Sequence, residues 1–265
     1  MLENDFIKAV EEAIGPERCA RGSETLELYA SDASMCKGNA ELVVLPDTTQ
    51  QVSAIAALCN RYRVPLTVRG AGTGYTGGAV PSHGGIVVTM ERFNRILEID
   101  EVNLLAIVEP NVVTGELQKA VESVGLFYPP DPASLNRCAI GGNIAECAGG
   151  PRAFKYGTTK RYVLGLEAVL ATGEVIQTGG KTVKNVVGYD LTQTLVGSEG
   201  TLAIVTKAIL RLIPLPPCRE TVQATFRDID DAVQAMIELV KARVIPSALE
   251  VIDLESLEAV AGYLN

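Results

Sequence analysis

The stretch Pro65-Leu-Thr-Val-Arg-Gly-Ala-Gly-Thr-Gly-Tyr-Thr-Gly-Gly-Ala79 joins an apolar strand to a loop rich in glycine. Glycine has no Cβ and adopts positive φ values readily, so such a loop can direct several backbone N–H groups towards one anion. A phosphate group is the anion that this pattern predicts.

The spacing Gly72-Thr-Gly-Tyr-Thr-Gly77 also matches the GxGxxG fingerprint of NAD-binding Rossmann folds. That fingerprint requires a helix that begins within the glycines, because the helix N-terminus holds the pyrophosphate. Here the glycine run continues past Gly78 and Pro81 into a strand at Gly85. We therefore expect a backbone nest for pyrophosphate in a different fold, with a glycine-rich surface loop that binds nothing as the alternative.

Composition narrows the classes of function. The chain has 265 residues, 47% of them apolar, which is enough for one large domain or two smaller ones. Its 23 basic and 32 acidic residues give a net charge of −9, which argues against nucleic acid and against an anionic membrane surface as partners. No run approaches the roughly 18–20 apolar residues that span a bilayer, and no signal-like segment begins the sequence. We expect a cytoplasmic protein without a transmembrane segment.

Histidine and cysteine chemistry is sparse. The chain has six cysteines without a CxxC pair and one histidine, His83, so we predict free thiols and no metal site.

Two other catalytic motifs are incomplete, which argues against nucleotide hydrolysis and against a serine hydrolase. Thr178-Gly-Gly-Lys-Thr182 has Val175 where a P-loop needs its first glycine. Gly197-Ser-Glu-Gly200 does not match the GxSxG of a serine hydrolase.

Apolar periodicity predicts mixed α and β structure. The order strand, helix, strand across residues 41–68 predicts a parallel pair with a crossover, and hairpins are expected over 96–109 and 163–177. Thr114 is predicted to cap a helix. Residues 19–39 have no clear periodicity and are predicted to be irregular.

A cluster of prolines ends this pattern. Pro214, Pro216 and Pro217 place a predicted domain boundary between residues 217 and 218. Beyond it, strands over 221–226 and 248–252 on either side of a helix predict one βαβ unit, which is too small to bury a core by itself.

Six stretches between about Leu42 and Leu215 follow the order of one known family: LVVLPDTTQQVS, VRGAGTGYTGG, FYPPDPASL, IGGNIAECAGG, KYGTTKRYVLGLEAVLATGEVI and NVVGYDLTQTLVGSEGTLAIVT. The chain resembles the FAD-binding domain of the PCMH-type (vanillyl-alcohol-oxidase-type) flavoproteins. Within that family it is most similar to glycolate oxidase flavoprotein subunits and to D-lactate and D-2-hydroxyglutarate dehydrogenases. The resemblance implies an α+β fold of two α/β subdomains that clamp FAD over residues 1–217. Residues 218–265 would be the truncated start of a ferredoxin-like cap domain.

The resemblance also implies four groups of cofactor-binding residues. The pyrophosphate loop comprises Arg69, Gly70, Ala71, Gly72, Thr73, Gly74, Gly77 and Gly78. The segment beside the flavin and its ribityl chain comprises Pro132, Ala133 and Ser134. A second close backbone approach comprises Gly141, Gly142, Asn143, Ala145, Cys147 and Gly149. The segment on the adenine side comprises Glu199, Gly200 and Ile204.

Two features depart from the family pattern. Cys147 stands where the family usually has Asn, and no histidine occupies the positions that attach flavin covalently. We therefore expect FAD to be bound non-covalently.

The function that the resemblance implies is oxidation of a 2-hydroxy acid, such as glycolate or D-lactate, to the 2-oxo acid by hydride transfer to flavin N5. Electrons would then pass to an iron–sulfur subunit, a quinone or a soluble carrier. Family members continue well past residue 265, where their catalytic and metal-binding histidines are expected, so no catalytic residue is assigned here. A non-catalytic or incomplete flavin subunit that needs a second chain for the substrate site is the alternative. A UDP-sugar reductase of the same flavin fold fits the quoted stretches less well.

Overall fold

The computed structural model describes residues 2–264. Its strands are β1 (Cys19–Ala20), β2 (Leu42–Val44), β3 (Leu66–Arg69), β4 (Ile86–Thr89), β5 (Ile96–Asp100), β6 (Leu105–Val108), β7 (Leu126–Phe127), β8 (Val163–Leu170), β9 (Val175–Gly179), β10 (Ala203–Arg211) and β11 (Ile213–Pro214). Its helices are α1 (Asn4–Ile14), α2 (Ser23–Leu28), α3 (Thr49–Tyr62), α4 (Thr114–Glu122), α5 (Ile140–Glu146), α6 (Ala153–Tyr156), α7 (Leu191–Leu195), α8 (Ile229–Lys241) and α9 (Leu254–Leu264). No helix within residues 2–264 combines the length and the apolar character needed to cross a bilayer.

The first sheet has the order β1-β2-β4-β3, in which β2, β4 and β3 are parallel. The prediction of parallel strands with a crossover helix is confirmed, but β2 and β3 are not neighbours, because β4 lies between them. Gly85 allows this insertion: its φ is 80°, and a Cβ there would collide with the Pro65 carbonyl.

Helix α3 begins and packs as its sequence predicts. The Thr48 side chain accepts a hydrogen bond from the Gln51 backbone N–H, which is an N-cap contact. The buried face of α3 consists of Val52, Ile55, Ala56 and Cys59. Together with α1 this face covers the sheet and forms the core of the first subdomain.

The second sheet is antiparallel, with the order β5-β6-β10-β8-β9. Both predicted hairpins are confirmed as β5–β6 and β8–β9. Its core contains the fully buried Tyr128 and Ile144, which brings α5 onto this sheet. The two sheets with their helices give the α+β architecture.

Two local predictions were wrong, one in each subdomain. Residues 19–39 contain β1 and α2, because pairing of Cys19 with Val44 supplies order that periodicity does not reveal. Thr114 is the first residue of α4 and does not cap it. Its buried hydroxyl instead accepts a hydrogen bond from Asn143 Nδ2 at 2.6 Å and so links α4 to α5.

The strands predicted over 221–226 and 248–252 are also absent, whereas α8 forms between them and begins at an Asp228 cap. A strand needs a partner for its backbone groups, and no described strand lies beside either segment. Arg219 stacks on Phe127 at 4.7 Å, which ties the start of this region to the second subdomain. The boundary between residues 217 and 218 remains a prediction.

Glu167 on β8 joins the two subdomains. Its Oε1 accepts hydrogen bonds from Thr49 of α3 at 2.8 Å and from Thr206 of β10 at 2.9 Å. Its Oε2 pairs with Lys207 Nζ at 3.2 Å. Burial by itself would raise the pKa of Glu167, but these hydrogen bonds outweigh it and hold the pKa below its usual value.

We predict that Glu167→Gln lowers the free energy of unfolding by about 1–3 kcal/mol near neutral pH, because charge-assisted hydrogen bonds are lost. The folded-state pKa lies below the unfolded-state value, so this difference should shrink as the pH falls through the folded-state pKa. Urea unfolding at neutral and acidic pH measures it. Glu101→Gln, in the exposed β5–β6 turn, is the matched control. Equal stability of Glu167→Gln and wild type at neutral pH would contradict the prediction.

Candidate cofactor site

A cleft of about 1070 Å³ is lined by residues of both sheets and of the loops beside them. Val68 and Arg69 at the end of β3 form part of one wall, and Ala203, Ile204 and Val205 of β10 form part of another. This volume slightly exceeds the range of about 300–1000 Å³ that is usual for small-molecule and cofactor pockets. The cleft therefore has room for an extended ligand.

The glycine loop supplies the cleft with hydrogen-bond donors. Within the described part of the chain, no backbone N–H of residues 70–79 donates to a protein acceptor. Gly72 and Gly77 have φ values of 64° and 79°, which turn the backbone out of its strand path. A run of unpaired N–H groups beside a cleft is what an anion-binding nest requires.

Arg69 adds a positive charge next to these donors. Its Nη1 donates to the Ser31 carbonyl at 2.6 Å, and its guanidinium lies 5.5 Å from the centre of the Tyr29 ring. Partial burial lowers the pKa of Arg69, although an arginine stays charged at neutral pH. A Cβ at Gly72 would collide with this guanidinium, so the arginine lies directly against the loop.

Helix α5 forms the second backbone approach. The Gly141 N–H donates to the Pro110 carbonyl at 2.6 Å, and a Cβ at Gly141 would lie 2.6 Å from Pro110 Cβ. A Cβ at Gly142 would meet nothing within 4 Å, although Gly142 lines the cleft. Gly141 is therefore a packing requirement, whereas Gly142 leaves space for a ligand.

The segment before α5 is held by an ion pair. Arg152 Nε lies 3.0 Å from Asp131 Oδ2, and the Arg152 backbone N–H donates to Oδ1 at 3.1 Å. Burial raises the pKa of Asp131, while Arg152 opposes this shift. The turn that follows is closed by the Cys138 N–H, which donates to the Ser134 carbonyl at 2.8 Å.

The 197–204 segment is attached to the end of α5. The Gly197 N–H donates to the Ile144 carbonyl and the Glu199 N–H to the Ala145 carbonyl, both at 2.9 Å. A Cβ at Gly200 would lie 3.9 Å from Val68 Cβ on the first sheet. Segments far apart in the sequence therefore converge on one cleft.

All of the predicted cofactor-binding residues except Gly77 and Cys147 line this cleft. Gly77 shapes the loop through its positive φ. Cys147 ends α5 in the left-handed conformation, with a φ of 51°, and its Sγ lies 3.3 Å from Thr158 Oγ1. Asn143 lines the cleft, but its buried side chain donates to Thr114.

Several cleft residues were missed by the sequence analysis. They include Leu28, Ser31, Asp32 and Ala33, which lie in the region predicted to be irregular. Arg137 and Glu146 also line the cleft. Glu146 lies within the quoted IGGNIAECAGG stretch, so its position was available from the sequence, whereas residues 28–33 gave no signal of their own.

Three carboxylates, Asp32, Glu146 and Glu199, line the same cleft. Partial burial raises the pKa of Glu146, as do the negative charges of Glu199 and Asp32, against a hydrogen bond from Thr76. No group of acidic, cysteine or histidine side chains within residues 2–264 has the arrangement of a metal site. His83 is exposed, and its Nδ1 lies 3.0 Å from Ser82 Oγ.

Comparison with known proteins identifies the class of this site. Residues 40–179 match the family described as "FAD binding domain", and residues 215–265 match "FAD linked oxidases, C-terminal domain". The first match covers more than half of the chain, so the chain belongs to the FAD-binding domain family, and FAD is its cofactor. The unpaired N–H groups beside a cleft of this size fit a cofactor with two phosphates and a large ring.

Two curated relatives are similar along almost the whole chain. The glycolate oxidase subunit GlcD of Bacillus subtilis (strain 168) is 44% identical over 99% of this chain and 56% of its own length. The D-lactate dehydrogenase of Archaeoglobus fulgidus is 41% identical over 96% of this chain and 56% of its own length. The chain thus spans about half the length of the curated relatives it matches.

A solved structure supports the fold. The substrate-bound p-cresol methylhydroxylase structure has a TM-score of 0.78 and 22% sequence identity over 91% of this chain and 49% of its own. At that identity the likeness concerns the fold alone. The predicted PCMH-type α+β architecture is confirmed.

We predict that Gly142→Ala folds normally but binds FAD about tenfold or more weakly, because the added methyl group enters open space in the cleft. Gly141→Ala is the matched comparison. Its methyl group meets Pro110 and should lower the free energy of unfolding by about 1–3 kcal/mol. FAD titration by flavin fluorescence and urea unfolding separate the two effects. Unchanged FAD affinity in Gly142→Ala would count against the close approach of the cofactor at this residue.

Proposed function

We propose that this chain provides the FAD-binding part of an oxidoreductase that converts a 2-hydroxy acid, such as glycolate or D-lactate, to the 2-oxo acid. The observation that carries this proposal is the 44% identity to a glycolate oxidase subunit over 99% of the chain. The 41% identity to a D-lactate dehydrogenase supports the same substrate class. Both relatives are named for small acids with a hydroxyl next to the carboxylate.

The cleft suggests a role for each segment. The unpaired N–H groups of residues 70–78 and the Arg69 charge would hold the pyrophosphate. Gly142 would allow the close backbone approach, and residues 132–134 would lie beside the flavin and its ribityl chain. Glu199, Gly200 and Ile204 would bound the adenine end.

These residues hold and orient the cofactor. Bound FAD supplies the acceptor for the hydride that leaves the substrate Cα, while a base takes the hydroxyl proton. We assign no base among the described residues, because the only histidine, His83, does not line the cleft. The substrate carboxylate and the base would be served by residues outside this chain's cleft.

The electrons must then leave the reduced cofactor. An iron–sulfur subunit, a quinone or a soluble carrier would accept them in the cytoplasm. The alternative function is a non-catalytic or incomplete flavin subunit whose substrate site comes from a second chain. Helices α8 and α9 support this alternative, because they carry exposed apolar residues that a second chain could cover. None of the residues described in these helices is buried.

Anaerobic mixing of the FAD-loaded chain with glycolate or D-lactate tests the proposed function. We expect the visible absorption band of the flavin to bleach with these acids and to persist with propionate, which lacks the 2-hydroxyl group. Bleaching only after addition of the C-terminal half of a relative would support the alternative. Absence of bleaching in both experiments would contradict the substrate class.

The attachment of FAD is also testable. Neither His83 nor Cys147 lines the cleft, and the Cys147 thiol contacts Thr158. We therefore predict that acid precipitation of the loaded protein releases all of the flavin into the supernatant, measured by its absorbance. Flavin that stays with the precipitated polypeptide would contradict non-covalent binding.

A further inference from the structure

Glu146 is the last residue of α5, and its side chain lies against the glycine loop. A Cβ added at Gly74 would collide with Glu146 Oε1, so the carboxylate is in contact with the loop backbone. Thr76 Oγ1 donates to the same oxygen at 3.4 Å. A carboxylate therefore lies beside the N–H groups that we assign to the pyrophosphate.

The groups that face Glu146 are neutral or negative. The glycine loop contributes the Thr76 hydroxyl, the 31–33 segment contributes Asp32, and the 197–200 segment contributes Glu199. The last turn of α5 has no basic residue. Among the described residues, none of the interactions that shift the pKa of Glu146 comes from a cation.

The positive charge of Arg69, at the start of the loop, is directed elsewhere. The Arg69 guanidinium lies against Gly72 and donates to the Ser31 carbonyl. The charges that raise the pKa of Arg69 are those of Asp32, Tyr29 and Glu91, and Glu146 is not among them. Arg69 thus offers no direct compensation for the Glu146 carboxylate.

We propose that Glu146 takes up a proton when the pyrophosphate of FAD enters the loop, so that the affinity for FAD falls as the pH rises. This inference rests on the proposed placement of the pyrophosphate at residues 70–78. Two phosphate charges next to the ionised carboxylate would repel it, and the cofactor would also remove water from its exposed side. The protonated carboxyl, in contrast, is a donor that can be shared with a phosphate oxygen.

The direction of the pH effect follows from this linkage. Partial burial and two neighbouring carboxylates already raise the pKa of Glu146 in the protein without cofactor. Bound pyrophosphate raises it further, so the bound state holds more protons. FAD binding is then tightest below the cofactor-free pKa and weakens by up to about tenfold per pH unit between the two pKa values.

The experiment measures the dissociation constant of FAD by flavin fluorescence from about pH 5 to about pH 8. Glu146→Gln keeps the shape and an N–H donor but cannot ionise. Glu12→Gln, on the exposed face of α1, is the matched control. Calorimetry of FAD binding in two buffers with different ionisation enthalpies counts the protons taken up.

We expect the dissociation constant of the wild type and of Glu12→Gln to rise by about tenfold or more across this range. That of Glu146→Gln should stay nearly constant and be lower than the wild-type value at the alkaline end. Tight FAD binding with the same pH dependence in wild type and Glu146→Gln would overturn the inference and leave the proposed function intact. Failure to bind FAD at any pH would overturn both.

Discussion

The structure depends on how the chain connects β3 to β4. These neighbouring strands are parallel, so the intervening residues 70–85 must return to the other end of the sheet. No helix forms within this connection, and its N–H groups at residues 70–79 find no acceptor among the described residues. A helix would have consumed those donors internally. The glycine-rich return loop therefore leaves these N–H groups available. FAD has two phosphates whose oxygens can accept hydrogen bonds from them.

The second sheet makes this loop part of a cofactor site. Helix α5 packs on that sheet and presents Gly142 to the cleft, while the Glu199 N–H bonds back to α5. Glu167 of the second sheet accepts a hydrogen bond from Thr49 of α3 and so connects the second sheet to the helix that covers the first. A ligand between the sheets thus contacts both subdomains, which links their packing to cofactor affinity.

Much of this was predictable because the signals are local or carried by motifs. Hairpins β5–β6 and β8–β9, helix α3 and the converging glycine segments all follow from turn chemistry, apolar periodicity or motif order. The insertion of β4 between β2 and β3 was not predictable, since strand order is set by long-range pairing. The same holds for the cleft residues at 28–33, which are held there by long-range contacts such as the bond from the Ala33 N–H to the Gly72 carbonyl and the Arg69 contact with Ser31. The strands predicted over 221–226 and 248–252 show the opposite error: a strand-like sequence forms no ladder without a partner.

The central claim is that the backbone N–H groups of residues 70–78 bind the FAD pyrophosphate. Backbone amide chemical shifts of the nitrogen-15-labelled protein test this claim residue by residue. They are followed by NMR in separate titrations with FAD and with riboflavin, which carries the same ring without phosphate. The account predicts large amide shifts at residues 70–78 with FAD and much smaller ones with riboflavin. Bound FAD without shifts in this loop, or equal shifts with riboflavin, would contradict it.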